Sequence, residues 1–513
     1  MRGPDSGLSA ILDSLRRTLR ERLGGFVPAG SIAERTAKSG VWVAGMNVSD
    51  RVLQLLMVLV VARLLDPRDF GLFGIAVLAV GASKQLTNIG LNAALIQQKS
   101  DDVDSYLNTV WFLEITRGAV IAAVLFLAAP SIASFFGEPR TTELLRVVAI
   151  SPLLVGLKNP GIVYFNKDLQ FHKRFVYQIS GSLALFLLAV GYALIYADVW
   201  ALIIGFVAAD VTRLCVSYLV HDYRPRPEFD LSHAKELISY GKWMTGNSIL
   251  LFLYGQGDDA VIGWLLPASA LGFYQLAYRF SNAPATEIAS TIAKVTFPLY
   301  SKLQDDTEGV REAFFRAMQV TTFVAFPAAF GIAAVAPTFV EAFLGEQWLP
   351  VVTTMQLLAA YGLTRTLGKT FGAVWKATGR PDLLTKLPII RIALLAAFIY
   401  PATTRFGIEG TAFLIVATSV FPMMPINVYL VVNSIETTYR RFLYELAYPL
   451  IASATMGLAV VFVRDSVVLP SPILEFFLLV GTGIATYAVA VAALDLSFDW
   501  GISENVRSIR EAL

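Results

Sequence analysis

One cysteine, Cys215, and three histidines, His172, His221 and His233, are all that 513 residues offer to disulfide or zinc chemistry. A lone thiol cannot close an internal bridge, and histidines scattered through the polar stretches between apolar runs lack zinc-ligand spacing, so no metal site is expected. Charge is also scarce. Asp, Glu, Lys and Arg make up 16% of the chain, against about 25% in soluble domains. No Gly-rich phosphate loop and no nucleophile motif occurs, which argues against ATP hydrolysis and acyl transfer. Nothing here suggests an organic cofactor or a nucleic-acid partner.

What the chain does have is apolar surface. Hydrophobic residues make up 56% and the mean hydropathy is +0.61, so most of the chain must face lipid or other lipid-facing helices. A membrane helix needs about 20 mostly apolar residues. Such runs fall near 40–65, 70–97, 106–130, 143–166, 174–196 and 199–220, then near 239–264, 270–298, 314–344, 350–374, 385–404 and 408–433, with two more near 443–464 and 472–494. The expected fold is therefore all-α: a polytopic membrane protein of about 14 transmembrane helices, in two pseudosymmetric six-helix lobes plus two C-terminal helices. The domain plan runs 1–39 (basic cytoplasmic segment), 40–220 (first lobe), 221–238 (cytoplasmic linker), 239–433 (second lobe), 434–495 (helices 13 and 14) and 496–513 (cytoplasmic tail). Residues 1–39 hold no long apolar core and do not read as a signal peptide. Leu8–Leu23 alternates apolar and basic residues, as either a surface-lying amphipathic helix or a solvated basic tail would.

Lys and Arg set the orientation. With the amino terminus inside, the basic tail, Lys99, Lys167, Lys173, Arg224, Arg226, Lys302, Lys376, Arg440 and Arg507 all fall on the cytoplasmic side. Outer loops hold little beyond Arg63, Arg68, Arg140, Arg405 and Arg464. Both termini are then cytoplasmic, in a cytoplasmic (inner) membrane. The outer loops are short, which leaves no room for the catalytic loop that a membrane glycosyltransferase or repeat-unit polymerase would need.

The chain also repeats itself. Shifting residues 40–76 by 201 positions lays them on 241–277 without a gap. Gly40, Trp42 and Gly45 meet Gly241, Trp243 and Gly246; Leu64, Leu65, Gly71 and Ala76 meet Leu265, Leu266, Gly272 and Ala277. Duplicated helix blocks of this kind build many transporters, with the substrate path between the halves.

Polar residues inside the spans form stripes. Asn47, Asp50, Arg51 and Gln54 share one helical face, and Lys84, Asn88 and Asn92 stand four apart. Glu114 and Arg117 are three apart and able to pair. Gln275, Arg279, Asn282 and Thr286 form another stripe with Glu287 beside it, and Tyr361, Arg365 and Lys369 a further one. Charge at bilayer depth is costly and usually turns inward, towards partners or a wet cavity. Mid-depth cations (Arg51, Lys84, Arg117, Arg279, Arg365, Lys369) outnumber anions (Asp50, Glu114, Glu287). Such an excess suits a substrate with an anionic head, such as a phosphate or pyrophosphate. The plainer reading is a set of interhelical ion pairs, and for Glu114–Arg117 and Asp210–Arg213 the two stand about even. Asp258, on a face with Asn247 and Tyr254, could bind a coupling Na⁺ or proton, or could simply reach water at the outer interface.

The turn LLDPRDFGLFGIA (64–76) and its echo LLPASALGFYQLAYR (265–279) resemble the hairpins of oligosaccharide flippases. These form the polysaccharide-transporter branch of the multidrug/oligosaccharidyl-lipid/polysaccharide exporter superfamily. DDAVIGWLLPASALGFYQLAYRF (258–280) is similar to that family's seventh-to-eighth helix hairpin, with Asp258 where the family often has an acid. VYFNKDLQFHKRF (163–175) and WKATGRPDLLTK (375–386) resemble its basic inner turns, so the resemblance covers about 40–440. It implies a two-lobed bundle with a cationic central cavity, working by alternating access. The implied cargo is a polyprenyl-(pyro)phosphate-linked oligosaccharide for exopolysaccharide or lipopolysaccharide, with a polysaccharide polymerase and membrane lipids as partners. On this reading the candidate substrate-binding residues are Arg51, Lys84, Asn88, Arg117, Arg279, Arg365 and Lys369, and the candidate ion-coupling residues Asp50, Asp258 and Glu287. A drug or metabolite antiporter of the same superfamily is the alternative, with a membrane enzyme of lipid-linked glycans or a non-transporting scaffold behind it.

Overall fold

The computed structural model describes residues 32–88, 90, 103–168, 170–467 and 469–498. Among them every regular element is helical and no strand occurs. Two compact units, Met1–Phe252 and Leu253–Leu513, divide the chain. The basic stretch Leu8–Leu23 and Asn92 lie outside the described residues.

In the first unit, α1 (Ile32–Leu64) turns through two residues into α2 (Pro67–Leu86), and α3 (Val103–Phe135) follows. The fourth apolar run does not form one straight helix. It breaks into α4 (Thr141–Val148), α5 (Ser151–Gly156), a 3₁₀ turn (Pro160–Val163) and α6 (Tyr164–Lys167), bending by 74° between Thr141–Gly156 and Pro160–Lys167. Pro160 cannot donate to the preceding turn. Asn159, fully buried, accepts from the Gly161 amide at 2.9 Å and so starts a new helix rather than extending the old one. The groups freed by the break find partners. The Asn159 amide donates to Ser217 Oγ at 3.0 Å and the Tyr218 hydroxyl to the Leu157 carbonyl at 2.9 Å, as irregular backbone at membrane depth requires. α7 (Phe171–Tyr196) and α8 (Trp200–Val220) complete the unit, packing along each other, and α7 also packs on α1.

Two glycines let the broken span lie against α3 backbone to backbone. A methyl group on Gly156 would stand 2.8 Å from the Glu114 carbonyl carbon, and one on Gly118 would stand 3.0 Å from Pro152 C. Neither position can take a side chain without moving a main chain. This is the close small-residue contact that holds helices together in lipid.

α9 (Leu231–Leu265) runs from the first unit into the second. The second continues through α10 (Ala268–Lys302), α11 (Thr307–Phe339), α12 (Val351–Ala377), α13 (Leu383–Thr418), α14 (Met424–Ser434), α15 (Tyr439–Ser466) and α16 (Pro472–Phe498). The 201-residue repeat reappears as geometry. α1 ends at Leu64 and α9 at Leu265, while α2 begins at Pro67 and α10 at Ala268. The closing bonds match as well: Leu65 N to Val61 O and Leu266 N to Ile262 O are both 2.9 Å. The two turn residues Asp66 and Pro267 share ψ 153.

Nine helical segments among the described residues are long and apolar enough to cross a membrane, or ten with the bent pair counted as one. The chain is a multi-pass membrane protein. α9, α10 and α12 have 35, 35 and 27 residues and are long enough as well, but polar stripes lower their hydropathy. Leu383–Ser434 runs 52 residues, far beyond one bilayer crossing, and Gly407 breaks it with φ 61 and ψ −146, a conformation glycine reaches without steric cost. The core of the second unit gathers Tyr300, Phe314, Phe315, Phe371, Trp375 and Phe442 from α10, α11, α12 and α15. Arg441 on α15 clasps Glu312 on α11 through two 2.8 Å bonds. At the basic turn after α12, Gly379 takes φ 73 and Asp382 receives Lys386 at 2.9 Å and Arg380 at 3.4 Å. Lys386 first, then Arg380, holds the Asp382 carboxyl below its ordinary range. A groove of about 1000 Å³, lined by Phe323, Gly331, Met456, Gly483 and Tyr487, runs along α11, α15 and α16.

Candidate functional site

In the first unit, charged side chains of α2, α8 and the break after α5 gather around one carboxylate. Asp210 of α8 is 6% exposed. Its Oδ2 accepts from Ser151 Oγ at 2.5 Å, and its Oδ1 lies 3.6 Å from Lys158 Nζ and 3.7 Å from Arg213 Nη1. Lys84 of α2 donates to the same Ser151 hydroxyl at 3.1 Å. Lys84 has no acid on its own helix face, but Asp210 reaches it from α8 through that hydroxyl. Three cations thus surround Asp210, one positive charge more than Asp210 and the linked Asp50 balance together. Beside them Arg117 pairs with Glu114 at 2.8 Å and points a further N–H at the Thr87 carbonyl, 3.4 Å away.

The stripe Lys84, Asn88, Asn92 is not a continuous helical face. α2 stops at Leu86 with Thr87 as its cap, so Asn88 lies beyond the helix. The cause is local chemistry: the Asn88 side chain accepts from the Gly90 amide at 3.1 Å, and Gly90 takes φ 65, an Asx-type stop. The Asn88 amide group then donates to Ser248 Oγ at 3.2 Å, and Thr245 Oγ1 donates to the Asn88 carbonyl at 3.0 Å.

Asp50 sits on α1, half-buried. It accepts from Gln54 at 3.0 Å and from the Ser182 hydroxyl of α7. Arg213 reaches that Ser182 oxygen at 3.5 Å, so Asp50 and Asp210 are two ends of one polar chain. Gly181 leaves the space that Arg213 fills, since a methyl group there would stand 2.6 Å from its Cγ. Arg51, on the next position of α1, is exposed within its unit.

In the second unit Arg365 and Arg391 give their hydrogen bonds to tyrosines, with the Asp258 carboxylate acting on Arg391 from farther off. Arg365 of α12 donates to the Tyr278 hydroxyl of α10, and its guanidinium lies 5.7 Å from the Tyr278 and Tyr361 ring centres. Arg391 of α13, 4% exposed, donates to the Tyr361 hydroxyl at 2.7 Å. It is sandwiched 4.6 Å from the Tyr254 ring and 4.7 Å from the Tyr361 ring. Phenol hydroxyls and ring faces hold a guanidinium without cancelling its charge. Among the described residues neither arginine has a carboxylate within ion-pair distance. Asp258 of α9 accepts from the Tyr274 hydroxyl at 2.5 Å, and Tyr274 is fully buried. Arg279 and Lys369 are half-buried, and the side chain of Glu287 lies outside those described.

Two contributors escaped the sequence reading. Lys158 sits at the helix break, and Arg391 stands alone in the apolar run LPIIRIALL. A single charge in such a run was itself the available signal.

The polysaccharide biosynthesis protein family matches residues 60–353, more than half the chain. The chain is 26% identical over 421 residues to the lipopolysaccharide biosynthesis protein WzxC of Escherichia coli, covering 82% of this chain and 85% of that one. It is 28% identical over 449 residues to the succinoglycan biosynthesis transport protein ExoT of Rhizobium meliloti, covering 86% and 89%. Its fold is similar to that of lipid II flippase MurJ in an inward closed conformation, with TM-score 0.70 at 14% identity, covering 88% of this chain and 98% of that one. With more than half its length matched, and relatives aligned over most of the rest, the chain belongs to the polysaccharide biosynthesis protein family.

Proposed function

We propose that this protein is a flippase. It moves polyprenyl-(pyro)phosphate-linked oligosaccharide repeat units from the inner to the outer leaflet of the cytoplasmic membrane, by alternating access, for surface polysaccharide synthesis. The observation that carries the reading is the surplus of positive charge at bilayer depth. Lys84, Lys158 and Arg213 surround one carboxylate, and Arg365 and Arg391 are held by tyrosines. Buried charge left over after internal pairing is expensive unless a ligand completes it. An anionic head group would do so, whereas the cationic drugs of related antiporters would meet repulsion. The names of WzxC and ExoT favour the same class of cargo.

The finer parts of the proposal follow from the sequence. Fourteen spans result if α9, α10 and α12 cross the bilayer, the bent pair counts once and Leu383–Ser434 counts twice. The basic inner turns put both termini in the cytoplasm. A Na⁺ or proton gradient drives the cycle through Asp258, with Asp50 and Glu287 as further coupling candidates. The protein works beside a polysaccharide polymerase and performs no covalent chemistry itself.

The test is a deletion strain. It should lose surface polysaccharide and accumulate the lipid-linked repeat unit in the inner leaflet, and the gene returned on a plasmid should reverse both. Normal surface polysaccharide without the gene would overturn the proposal.

A further inference from the structure

The cluster in the first unit is built as an exchangeable anion site, and the argument rests on the flippase reading for its cargo. Charge-assisted hydrogen bonds to a carboxylate run about 2.7–2.9 Å. Only Ser151 approaches Asp210 that closely, at 2.5 Å. Lys158 and Arg213 stay at 3.6 and 3.7 Å, attracted but not hydrogen-bonded. Donor capacity is therefore unspent. The Lys158 ammonium makes no approach to an acceptor shorter than its 3.6 Å to Asp210 among the described residues. Among the described residues Arg213 Nε is buried without a partner, and its Nη2 makes a long 3.5 Å contact to Ser182.

The backbone gives a second, independent sign. Lys158 stands at the break between α5 and the 3₁₀ turn at Pro160–Val163, where the span bends by 74°. Discontinuous helices at membrane depth are where transporters place ligand sites. The break is anchored through Leu157 and Asn159, so Lys158 is presented on a fixed frame while its own head remains uncommitted.

We propose that Lys84, Lys158 and Arg213 form a seat for a phosphoryl group carrying two negative charges, and that Asp210 is its internal counter-anion. In the empty protein Asp210 holds the two loose cations by charge alone. An entering phosphoryl group takes over Lys158 and Arg213 with full hydrogen bonds, while Asp210 keeps Ser151. Asp210 therefore sets affinity by competition: it keeps the seat folded when empty and weakens the hold on cargo enough to allow release.

The experiment is calorimetric titration of the full-length protein in phosphatidylcholine nanodiscs, in phosphate-free buffer at fixed salt, with inorganic pyrophosphate and with farnesyl diphosphate. Lys158→Met should bind both probes about tenfold or more weakly, the range for a lost charge-assisted hydrogen bond. Asp210→Asn should bind both about tenfold more tightly. If Asp210→Asn cannot be purified folded, Lys158→Met and Arg213→Gln decide the matter by their loss of affinity. Binding of farnesyl diphosphate alone, unaffected by Lys158→Met, would assign recognition to the prenyl chain and overturn the seat. So would the absence of any binding by the wild-type protein, or weaker binding by Asp210→Asn at an unchanged melting temperature. The outcome separates from the flippase reading. A deletion strain with normal polysaccharide would remove the flippase and leave the seat, whereas unaltered affinity in Lys158→Met would remove the seat and leave the flippase.

Discussion

Gly156→Ala adds a single methyl group to the broken fourth span, at the point where it lies on α3. That methyl would be 2.8 Å from the Glu114 carbonyl carbon, closer than unbonded carbons sit, and 3.1 Å from Ile115 Cα, tighter than most such contacts. Both neighbours are main chain, so no rotamer change relieves the overlap and one helix must shift. Overpacking of this kind costs about 1–3 kcal/mol. At roughly 2–4 °C per kcal/mol for a unit of this size, the melting midpoint in detergent should fall by about 2–12 °C. Gly191→Ala on α7 is the matched control, because a methyl there has nothing within 4 Å. Relieved of glycine's helix penalty of about 1 kcal/mol, it should leave the midpoint unchanged or raise it. Because Lys158 is two residues beyond Gly156, Gly156→Ala should also lower polysaccharide export per folded molecule, and Gly191→Ala should not. Midpoints that agree within error, or a larger loss from Gly191→Ala, would refute the packing argument.

Asp258→Asn should abolish the response of transport to an imposed Na⁺ or proton gradient at normal protein abundance. An unchanged response would mean that Asp258 serves the hydrogen bond to Tyr274 alone. In a background with exposed Cys215 replaced, single cysteines at Ser232 and Ser269 should label from opposite faces of the membrane, and labelling of both from outside would contradict the inside amino terminus. Tyr361→Phe keeps the ring under Arg391 but removes the hydroxyl that accepts its 2.7 Å bond. It should cost about 1.5–3 kcal/mol, read as a lower melting midpoint, and an unaltered midpoint would show that ring contact alone holds Arg391.

Helices were the most legible part of the chain, because bilayer thickness converts directly into run length. The hairpin repeat was equally plain, with helix ends at Leu64 and Leu265 falling where the aligned leucines put them. Breaks were less legible. Pro152 and Pro160 both signal a kink in the fourth run, but the bend is placed by Asn159, whose capping bond to Gly161 competes with the helix. The helix of the second run ends at Leu86, because Asn88 and Gly90 form their own turn. Partners across helices could not be read at all. Lys84 carries no acid at i±3 or i±4, yet Ser151 and Asp210 reach it from α5 and α8. The partners of Arg391, Tyr254 and Tyr361, likewise come from other helices, α9 and α12. Periodicity reports neighbours on one helix and is silent about those that packing supplies.

The central claim is that the surplus cations serve an anionic cargo and not the bundle. Lys84→Ala and Arg365→Ala, expressed in cells that depend on the protein, test it with two readouts: surface polysaccharide and membrane-protein level. Each loses a charge-assisted contact worth about 1.5–3 kcal/mol to a bound anion. The account predicts polysaccharide reduced about tenfold or more at normal abundance for both. Reduced abundance, with polysaccharide per molecule unchanged, would contradict it.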